Sequence, residues 1–301
     1  MNGTILVFGR NGQVARELAK LGARSDPSLA GLKLDFVGRE DFDLSRGDSP
    51  LPLLRERAPI AVINAAAYTA VDRAESEPEA AFQLNRDTPA GIAQACAALD
   101  IPLVHFSTDY VFDGSKPDPY VEDDPPNPMS VYGRSKAEGE MAVLGSGARA
   151  SVLRTAWVYS AFGSNFLKTM LRLGRAQPEI RVVADQIGQP TWAEDCALGA
   201  LRLVQALLDR DARSLGVFHL TGAGDATWAD FAEAIFEESA RRGGSRPAVS
   251  RITTAQYPTA ARRPPNSRLD CRKIMRTVGW SARDWRGSLK ACFDELSEEG
   301  A

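Results

Sequence analysis

The N-terminal segment TILVFGRNGQVA is the feature that most constrains the fold. Its apolar run over 4–9 is too short for a helix and ends in glycine, which is typical of a buried strand. The Gly-x-x-Gly-x-x-Ala turn that follows opens a helix, whose N-terminus offers unpaired N–H groups and a positive dipole end to a pyrophosphate. A plain strand-to-helix turn is the alternative. We predict dinucleotide contacts from Gly9, Asn11, Gly12, Gln13 and Val14.

The rest of the N-terminal half alternates short apolar runs with helical spacings, which indicates βαβ units and a parallel sheet. Strands are predicted at 4–9, 34–38, 61–67 and 101–108. The segment 74–99 has helical spacing but contains two prolines, so we expect two helices or one interrupted helix there. The predicted fold class is α/β, a Rossmann-type doubly wound parallel sheet.

The C-terminal half has a looser pattern. A further strand is predicted at 151–159, followed by strands at 180–184 and 217–222 and helices at 194–208 and 227–241. We predict a Rossmann lobe over 1–160, with contributions from about 194–222, and a smaller C-terminal substrate-binding lobe over 161–301. Segments of both lobes are expected to meet over one cleft.

Composition excludes several classes of protein. The formal net charge of −3 gives no basic footprint for nucleic acid. We see no apolar run near the ~20 residues of a membrane span, and no signal-peptide pattern at the N-terminus, so we expect a cytoplasmic protein without a membrane partner. The four cysteines are scattered and the chain has two histidines, so we predict reduced thiols and no structural zinc site.

The segment VYGRSK places Tyr132 and Lys136 four residues apart. On a helix these positions lie on one face, where a phenol and an amine can contact a common ligand. An ordinary half-exposed helix face is the alternative. Polar side chains also follow the fourth strand, at Ser107, Thr108 and Asp109. They face the crevice at the strand ends, unless they serve as caps or turn residues.

Two other strand ends bear on a cofactor. The second strand ends in Gly38-Arg39, without the acidic residue that would bind an NAD ribose, and Arg39 suits a 2′-phosphate. We therefore predict NADPH, with NADH as an alternative, although Arg39 can equally be a surface residue paired with Asp41 or Asp43. The third strand is followed by small residues, which clear room for a ligand or allow dense packing. The predicted cofactor contacts here are Arg39, Asp43, Leu44, Ala65, Ala66, Ala67, Tyr68 and Thr69.

Together these motifs resemble the extended short-chain dehydrogenase/reductase superfamily: GRNGQVA is similar to its glycine motif, STDYVFDG to its catalytic strand and VYGRSK to its Tyr-x-x-x-Lys element. Within it, the chain resembles the dTDP-4-dehydrorhamnose reductase family. The similar segments extend from Thr4 to about Asp270 and include INAAAYTAVDRAESEP, RTAWVYS, NFLKTM, DQIGQPTWAED and RRPPNSRLD.

The resemblance implies roles for the residues of these motifs. Tyr132 would be the proton donor to a ketone, Lys136 would bind the nicotinamide ribose and lower the pKa of Tyr132, and Thr108 would bind the substrate oxygen. Asp109 and Trp157 would contact the sugar, although Trp157 can also be a core residue. The loop 186–191 would border the nucleotide, Arg263 or Asn266 would reach the diphosphate, and Phe106 would contact the dinucleotide.

The implied reaction is reduction of the 4-keto group of dTDP-4-dehydro-β-L-rhamnose to dTDP-β-L-rhamnose. Two alternatives remain: a reductase of another dTDP-4-keto sugar, and a non-catalytic regulatory subunit like the β subunit of methionine adenosyltransferase. We expect a monomer or a homodimer. Some relatives bind Mg²⁺ through interface glutamates, and Glu17 and Glu194 occupy similar places. Solvation at the surface explains them equally, so no metal is predicted.

Overall fold

The computed structural model describes residues 3–299. Its strands are β1 (Gly3–Phe8), β2 (Leu32–Val37), β3 (Ala61–Asn64), β4 (Leu103–Thr108), β5 (Ala150–Thr155), β6 (Val158–Tyr159), β7 (Glu179–Val183), β8 (Ile187–Gly188), β9 (Thr191–Trp192), β10 (Gly216–His219), β11 (Ala226–Thr227) and β12 (Ala248–Ile252). Its α-helices are α1 (Gln13–Ala23), α2 (Leu51–Arg57), α3 (Val71–Ala74), α4 (Pro78–Phe82), α5 (Thr88–Ala98), α6 (Val131–Leu144), α7 (Phe166–Ala176), α8 (Ala193–Leu208), α9 (Trp228–Arg241), α10 (Arg272–Val278) and α11 (Trp285–Glu299).

Six of these strands form one sheet in the order β10-β5-β4-β3-β1-β2, with every neighbouring pair parallel. The chain extends the sheet from β1 to β2 on one side, and then from β1 to β3 and onward on the other side. A crevice therefore forms between the carboxyl ends of β1 and β3, which is where open α/β sheets bind ligands. The predicted doubly wound parallel sheet is confirmed.

Both faces of the sheet are covered, and the alternation of side chains along β1 shows how. Ile5 and Val7 pack in a core with α1 and α8, whereas Leu6 and Phe8 pack on the opposite face with residues of α2 and α5. All four side chains are fully buried. Strands buried on both faces have continuous apolar sequences, which is why TILVF indicated a parallel sheet.

The predicted strand at 151–159 is wrong in its second half. β5 ends at Thr155, and the separate strand β6 pairs with β9 rather than continuing in the main sheet. Trp157 lies between them with a φ of 49°, in the left-handed region that a strand cannot contain. The backbone therefore leaves the sheet at the carboxyl end of β5.

The segment 74–99 is interrupted as expected: a π-helical turn (Gln83–Asp87) separates α4 from α5. Two glycines of α6 bring that helix against its neighbours. A Cβ on Gly139 would lie 1.9 Å from the Asn85 carbonyl oxygen, and one on Gly133 would lie 2.2 Å from the Tyr110 carbonyl oxygen. These contacts fix the depth at which α6 presents Tyr132 and Lys136.

The C-terminal half of the chain packs partly on the main sheet and partly in a second apolar core. β10 completes the main sheet and α8 covers it, while α7, α9 and α11 pack with β7 and β9 in a second apolar core. The sequence pattern missed α2, α7, α10 and α11. The boundary at residue 160 stays a prediction. Within residues 3–299, no helix has the length and apolar character needed to cross a membrane.

Candidate active site

A cleft of about 980 Å³ opens at the carboxyl ends of β1 to β5. It brings together all but one of the residues predicted to act in catalysis or to contact the dinucleotide or the sugar, whereas the predicted nucleotide and diphosphate contacts lie outside its lining. Those in its lining are Gly9, Asn11, Gly12, Gln13, Val14, Arg39, Asp43, Leu44, Ala65, Ala66, Ala67, Thr69, Phe106, Thr108, Asp109, Tyr132, Lys136 and Trp157. The exception is Tyr68, which is buried and whose hydroxyl donates to Glu77 at 2.7 Å and accepts from Arg73 at 3.1 Å.

The glycine-rich turn forms one end of the cleft. Gly9 has a φ of 101°, and a Cβ there would lie 2.8 Å from the Ala66 backbone nitrogen. Gly12 donates its N–H to the Gly9 carbonyl at 2.8 Å, and α1 begins at the next residue. The positive φ and the close approach of Ala66 together require glycine at position 9. The turn brings the N-terminus of α1 to the cleft.

The end of β2 carries cations and acids. Arg39 has a side chain 75% exposed, and its closest ion pair is a long one, 3.7 Å from Nε to the Asp43 carboxylate. Asp41, the other predicted partner, instead pairs with Arg10, as does Glu40. Arg10 also lines the cleft. Sequence reasoning missed it because the Gly-x-x-Gly pattern specifies no residue type at that position.

Tyr132 and Thr108 lie on one wall of the cleft. The Ser130 hydroxyl caps α6 by accepting the Gly133 N–H at 3.1 Å, so Tyr132 sits in the first turn. Burial raises the pKa of Tyr132, and a hydrogen bond with Thr108 opposes that shift. Desolvation of the phenolate sets the net direction of this shift, and the lowering of the Tyr132 pKa by Lys136 stays a prediction.

Asp109 is buried beside Thr108, whose hydroxyl donates to its carboxylate at 2.9 Å. Burial raises the pKa of Asp109 to about 6, and hydrogen bonds from Ser267 and Thr108 limit the rise. The Thr108 side chain also accepts the Tyr110 N–H at 3.2 Å. The capping role that competed with a functional one is thus real for Thr108, yet the residue still lines the cleft.

Lys136 lies behind Tyr132, with 2% of its surface exposed. Its Nζ donates to the Phe106 carbonyl oxygen at 2.6 Å and lies 3.4 Å from Nε2 of His105. Burial lowers the pKa of Lys136 to about 8, and the charge of Glu140 opposes the shift. Near neutral pH this amine therefore titrates more readily than a solvated lysine.

The C-terminal half supplies the opposite wall. The ring of Trp157 stacks on Trp228 with centroids 3.6 Å apart, and a Cβ on Gly188 would meet the Trp157 ring at 2.4 Å. Asn165 donates to the Gln13 side chain at 2.9 Å and caps α7, so it joins this half to the glycine-rich turn. Trp228 and Asn165 line the cleft but were missed as site residues. For Asn165, the conspicuous N-cap pattern Asn-Phe-Leu-Lys was an available signal.

The segments expected to border a nucleotide have structural contacts. Arg263 forms an ion pair with Asp72 at 2.7 Å, and Asn266 donates to the carbonyls of Lys116 and Asp118 at 2.6 and 3.1 Å. In the loop 186–191, Gln189 accepts from the Thr221 hydroxyl at 2.8 Å. Among the described residues, the lining of the cleft does not include these side chains.

Glu17 and Glu194 are buried rather than solvated at the surface, which corrects the alternative explanation for them. Together with Glu295 they form a group of carboxylates whose oxygens lie within 4.8 Å of one another. The Lys20 ammonium contacts all three: 2.5 Å from Glu17, 2.7 Å from Glu194, and hydrogen-bonded to Glu295. A lysine thus supplies positive charge where the carboxylates would otherwise hold a cation. The expectation of no metal stays a prediction.

The open parallel sheet, the glycine-rich turn and the Thr, Tyr and Lys side chains around one cleft define a dinucleotide-dependent oxidoreductase of the short-chain type. Comparison with known proteins identifies the family. The family model described as RmlD substrate binding domain matches residues 3–298, and the chain belongs to that family.

Named relatives and solved structures agree with this family assignment. The chain is 46% identical over 297 residues to a dTDP-4-dehydrorhamnose reductase of Sinorhizobium fredii, covering 98% of each chain. A crystal structure of dTDP-4-dehydrorhamnose reductase from Bacillus anthracis in complex with NADP has a TM-score of 0.87 and 31% identity, covering 98% of this chain and 100% of that one. A probable dTDP-4,6-dihydroxy-2-methyloxan-3-one 4-ketoreductase of Streptomyces antibioticus is 39% identical, covering 97% of this chain and 95% of that one.

Proposed function

We propose that the protein reduces the 4-keto group of dTDP-4-dehydro-β-L-rhamnose to give dTDP-β-L-rhamnose, with NADPH as hydride donor. One observation supports this most strongly: Thr108, Tyr132 and Lys136 line the same cleft as the glycine-rich turn. The relative from Sinorhizobium fredii, which this chain matches along nearly its whole length, is named for that reductase activity.

The reaction needs a hydride and a proton. Bound NADPH would supply the hydride, and the chain must position the ketone and supply the proton. The raised pKa of Tyr132 keeps its phenol protonated at neutral pH, which suits a proton donor. Thr108, which lines the same cleft, would hydrogen-bond the same carbonyl oxygen. Donation leaves a buried phenolate, which a protonated Lys136 on the same helix face would stabilise.

The same cleft indicates where the two ligands bind. The N-terminus of α1 and the Gly9 turn would hold the pyrophosphate of the cofactor, with Ala65 to Ala67 leaving room beside it. Arg39 is exposed and weakly paired, so its guanidinium is available for a 2′-phosphate, whereas Arg10 is held by Glu40 and Asp41. NADPH is the preferred cofactor in this proposal, and NADH is the alternative.

A second candidate is reduction of a different dTDP-4-keto sugar. The Streptomyces antibioticus relative, named as a probable ketoreductase of another dTDP-sugar, favours it. The Asp109 side and the stacked Trp157 and Trp228 would decide between the sugars, because a lost hydrogen bond in a polar pocket discriminates strongly. A non-catalytic regulatory subunit is less well supported, since it would have no chemical need for Thr108, Tyr132 and Lys136 together.

The test is NADPH oxidation, followed by absorbance, with dTDP-4-dehydro-L-rhamnose generated in situ and NADH in parallel. Tyr132→Phe should lower kcat by about 10²–10⁴-fold while NADPH still binds, since the phenol supplies the proton. The matched control is Tyr159→Phe, which removes a buried hydroxyl that donates to the Trp285 carbonyl at 3.3 Å. Wild-type turnover in Tyr132→Phe, or no oxidation with this sugar despite NADPH binding, would contradict the proposal.

The predicted cytoplasmic location, the monomer-or-homodimer state and the lobe boundary at 160 remain parts of this proposal. Reduced cysteines support the location: Cys96, Cys196 and Cys292 are buried free thiols, and Cys271 is a partly buried one.

A further inference from the structure

A buried imidazole lies directly behind the cleft and was not predicted as a site residue. His105 is in β4, three residues before Thr108, and it is fully buried. The parallel register places it opposite Asn64 of β3. Its ring nitrogens make two contacts: Nδ1 lies 3.1 Å from Nδ2 of Asn64, and Nε2 lies 3.4 Å from Nζ of Lys136. The ring therefore connects the end of β3 with the lysine of α6.

The hydrogen bonds of Asn64 determine which way its amide points. Its Oδ1 accepts the Ala66 N–H at 3.1 Å, so its amide nitrogen is the group that faces His105. An amide nitrogen can only donate, so Nδ1 of His105 must accept. A neutral imidazole with an accepting Nδ1 carries its hydrogen on Nε2. Burial and the charge of Lys136 lower the pKa of His105 well below its usual value, so the ring is neutral.

This tautomer has a consequence for Lys136. The Nε2–H of His105 points at Nζ, where it can donate to a neutral amine but opposes an ammonium. Nζ keeps one donor bond, to the Phe106 carbonyl. The titratable groups around the amine are Tyr132 and Glu140 on its own helix and His105 on β4. The Glu140 carboxylate is shared with Arg154 of β5, which binds it through Nη2 at 2.6 Å and Nε at 2.9 Å.

We infer that His105 is a positioning residue for Lys136: held in the Nε2–H tautomer by Asn64, it fixes the amine against the Phe106 carbonyl and destabilises its ammonium form. The inference rests on the proposed function, in which Lys136 binds the cofactor and stabilises the Tyr132 phenolate.

The second histidine provides an internal reference. Nδ1 of His219 lies 3.1 Å from the Tyr120 carbonyl, and Nε2 lies 3.4 Å from Nη1 of Arg154. A carbonyl only accepts and an arginine only donates, so this ring must carry its hydrogen on Nδ1. The two histidines of the chain are therefore expected in opposite neutral tautomers.

The direct test is a ¹⁵N–¹H spectrum of the folded protein labelled with ¹⁵N-histidine, recorded from pH 6 to 9. Two ring systems are expected, since the chain has two histidines, and His219→Asn assigns them. We expect His105 as Nε2–H and His219 as Nδ1–H, with neither ring titrating. An Nδ1–H tautomer or a titrating ring at His105 would overturn the inference. The spectrum needs no turnover, so it remains decisive even if the reductase proposal fails.

A functional test follows from Asn64→Asp. A carboxylate oxygen in place of the amide nitrogen accepts from Nδ1–H, which switches the ring tautomer and leaves Nε2 to accept from a protonated Lys136. We expect the alkaline limb of the pH profile for kcat/KM to move up by about one unit. His219→Asn should leave the limb in place. A variant that loses activity at all pH values without shifting the limb, while its histidine spectrum shows the switched tautomer, would refute control of Lys136 by His105.

Discussion

Lys136, which is buried, and Lys20, which is partly buried with 12% of its side chain exposed, differ in the direction in which the fold shifts their pKa. Burial disfavours the charged form of each, but the pKa of Lys20 is raised because Glu17, Glu194 and Glu295 outweigh that effect. The pKa of Lys136 is lowered to about 8, since burial dominates and Glu140 opposes it weakly. The depth of burial and the carboxylates around the amine together decide the direction of the shift.

The difference separates a structural cation from a reactive one. Lys20 joins α1, α8 and α11, three helices that no local sequence pattern connects, and its charge stabilises their contact. Lys136 contacts a carbonyl and a neutral imidazole, while the nearby Glu140 carboxylate binds Arg154. A lysine with a lowered pKa beside a buried phenol in a cleft is typical of a functional group.

Among these changes, Lys20→Met is expected to have the largest effect, and that effect is on the stability of the fold. It would leave buried Glu17 without a cation and remove the nearer cation from Glu194, which keeps Arg283 at 3.0 Å, and from Glu295, which keeps Arg24 at 3.8 Å. The loss should lower the free energy of unfolding at pH 7 by about 3–5 kcal/mol. Chemical denaturation measures this change. The folded variant should retain its kcat, because Lys20 lies outside the cleft. A loss below about 1 kcal/mol would show that the carboxylates do not depend on the lysine.

Lys136→Met should instead lower activity and leave stability unchanged or higher. Loss of one charge-assisted hydrogen bond and of the charge beside Tyr132 should lower kcat/KM by about 10–150-fold. Methionine has a similar shape and no charge to bury, so the free energy of unfolding at pH 7 should stay the same or rise. Steady-state kinetics and denaturation on the same preparation measure both. Unchanged kcat/KM together with a large loss of stability would make Lys136 a structural cation like Lys20.

The pH dependence of stability should have opposite slopes in the two variants. Lys136 has a folded pKa of about 8, below its unfolded value, so the unfolded state binds more protons between these values. Wild type should therefore gain about 2–3 kcal/mol relative to Lys136→Met as pH rises from about 8 to 10.

Lys20 has a raised pKa, so its stabilising contribution is fully present below its unfolded pKa and is lost as pH rises through the folded one. The stability deficit of Lys20→Met should therefore shrink at alkaline pH, where the wild-type advantage over Lys136→Met grows. The deficit should also shrink at low pH, where the carboxylates protonate, since burial already raises the pKa of Glu295 to about 7. Denaturation at several pH values measures both differences. Parallel slopes for the two variants would remove the distinction between the lysines.

The sequence was sufficient for features set by local chemistry. The Gly9 turn, the small residues after β3, and the i,i+4 spacing of Tyr132 and Lys136 predicted a dinucleotide fold and most of the cleft. These signals are local because one backbone turn or one helix face determines each of them.

Features that depend on tertiary proximity were out of reach. Glu17 and Glu295 are 278 positions apart and meet only through packing of α1 with α11. The tautomer of His105 depends on Asn64 of the neighbouring strand β3. The raised pKa of Tyr132 depends on burial, which residue spacing does not reveal. Trp157 gave a wrong strand because an apolar run does not show where the backbone adopts a positive φ.

In the proposed reaction, a hydride passes to C4 of the keto sugar in this cleft and a proton passes from Tyr132 to its oxygen. The most direct measurement is mass spectrometry of the sugar product formed from dTDP-4-dehydro-L-rhamnose and NADPH deuterated at C4 of the nicotinamide. We expect dTDP-L-rhamnose with deuterium at sugar C4 from wild type, and almost none from Tyr132→Phe. Product without deuterium, or no product from wild type that binds NADPH, would contradict it.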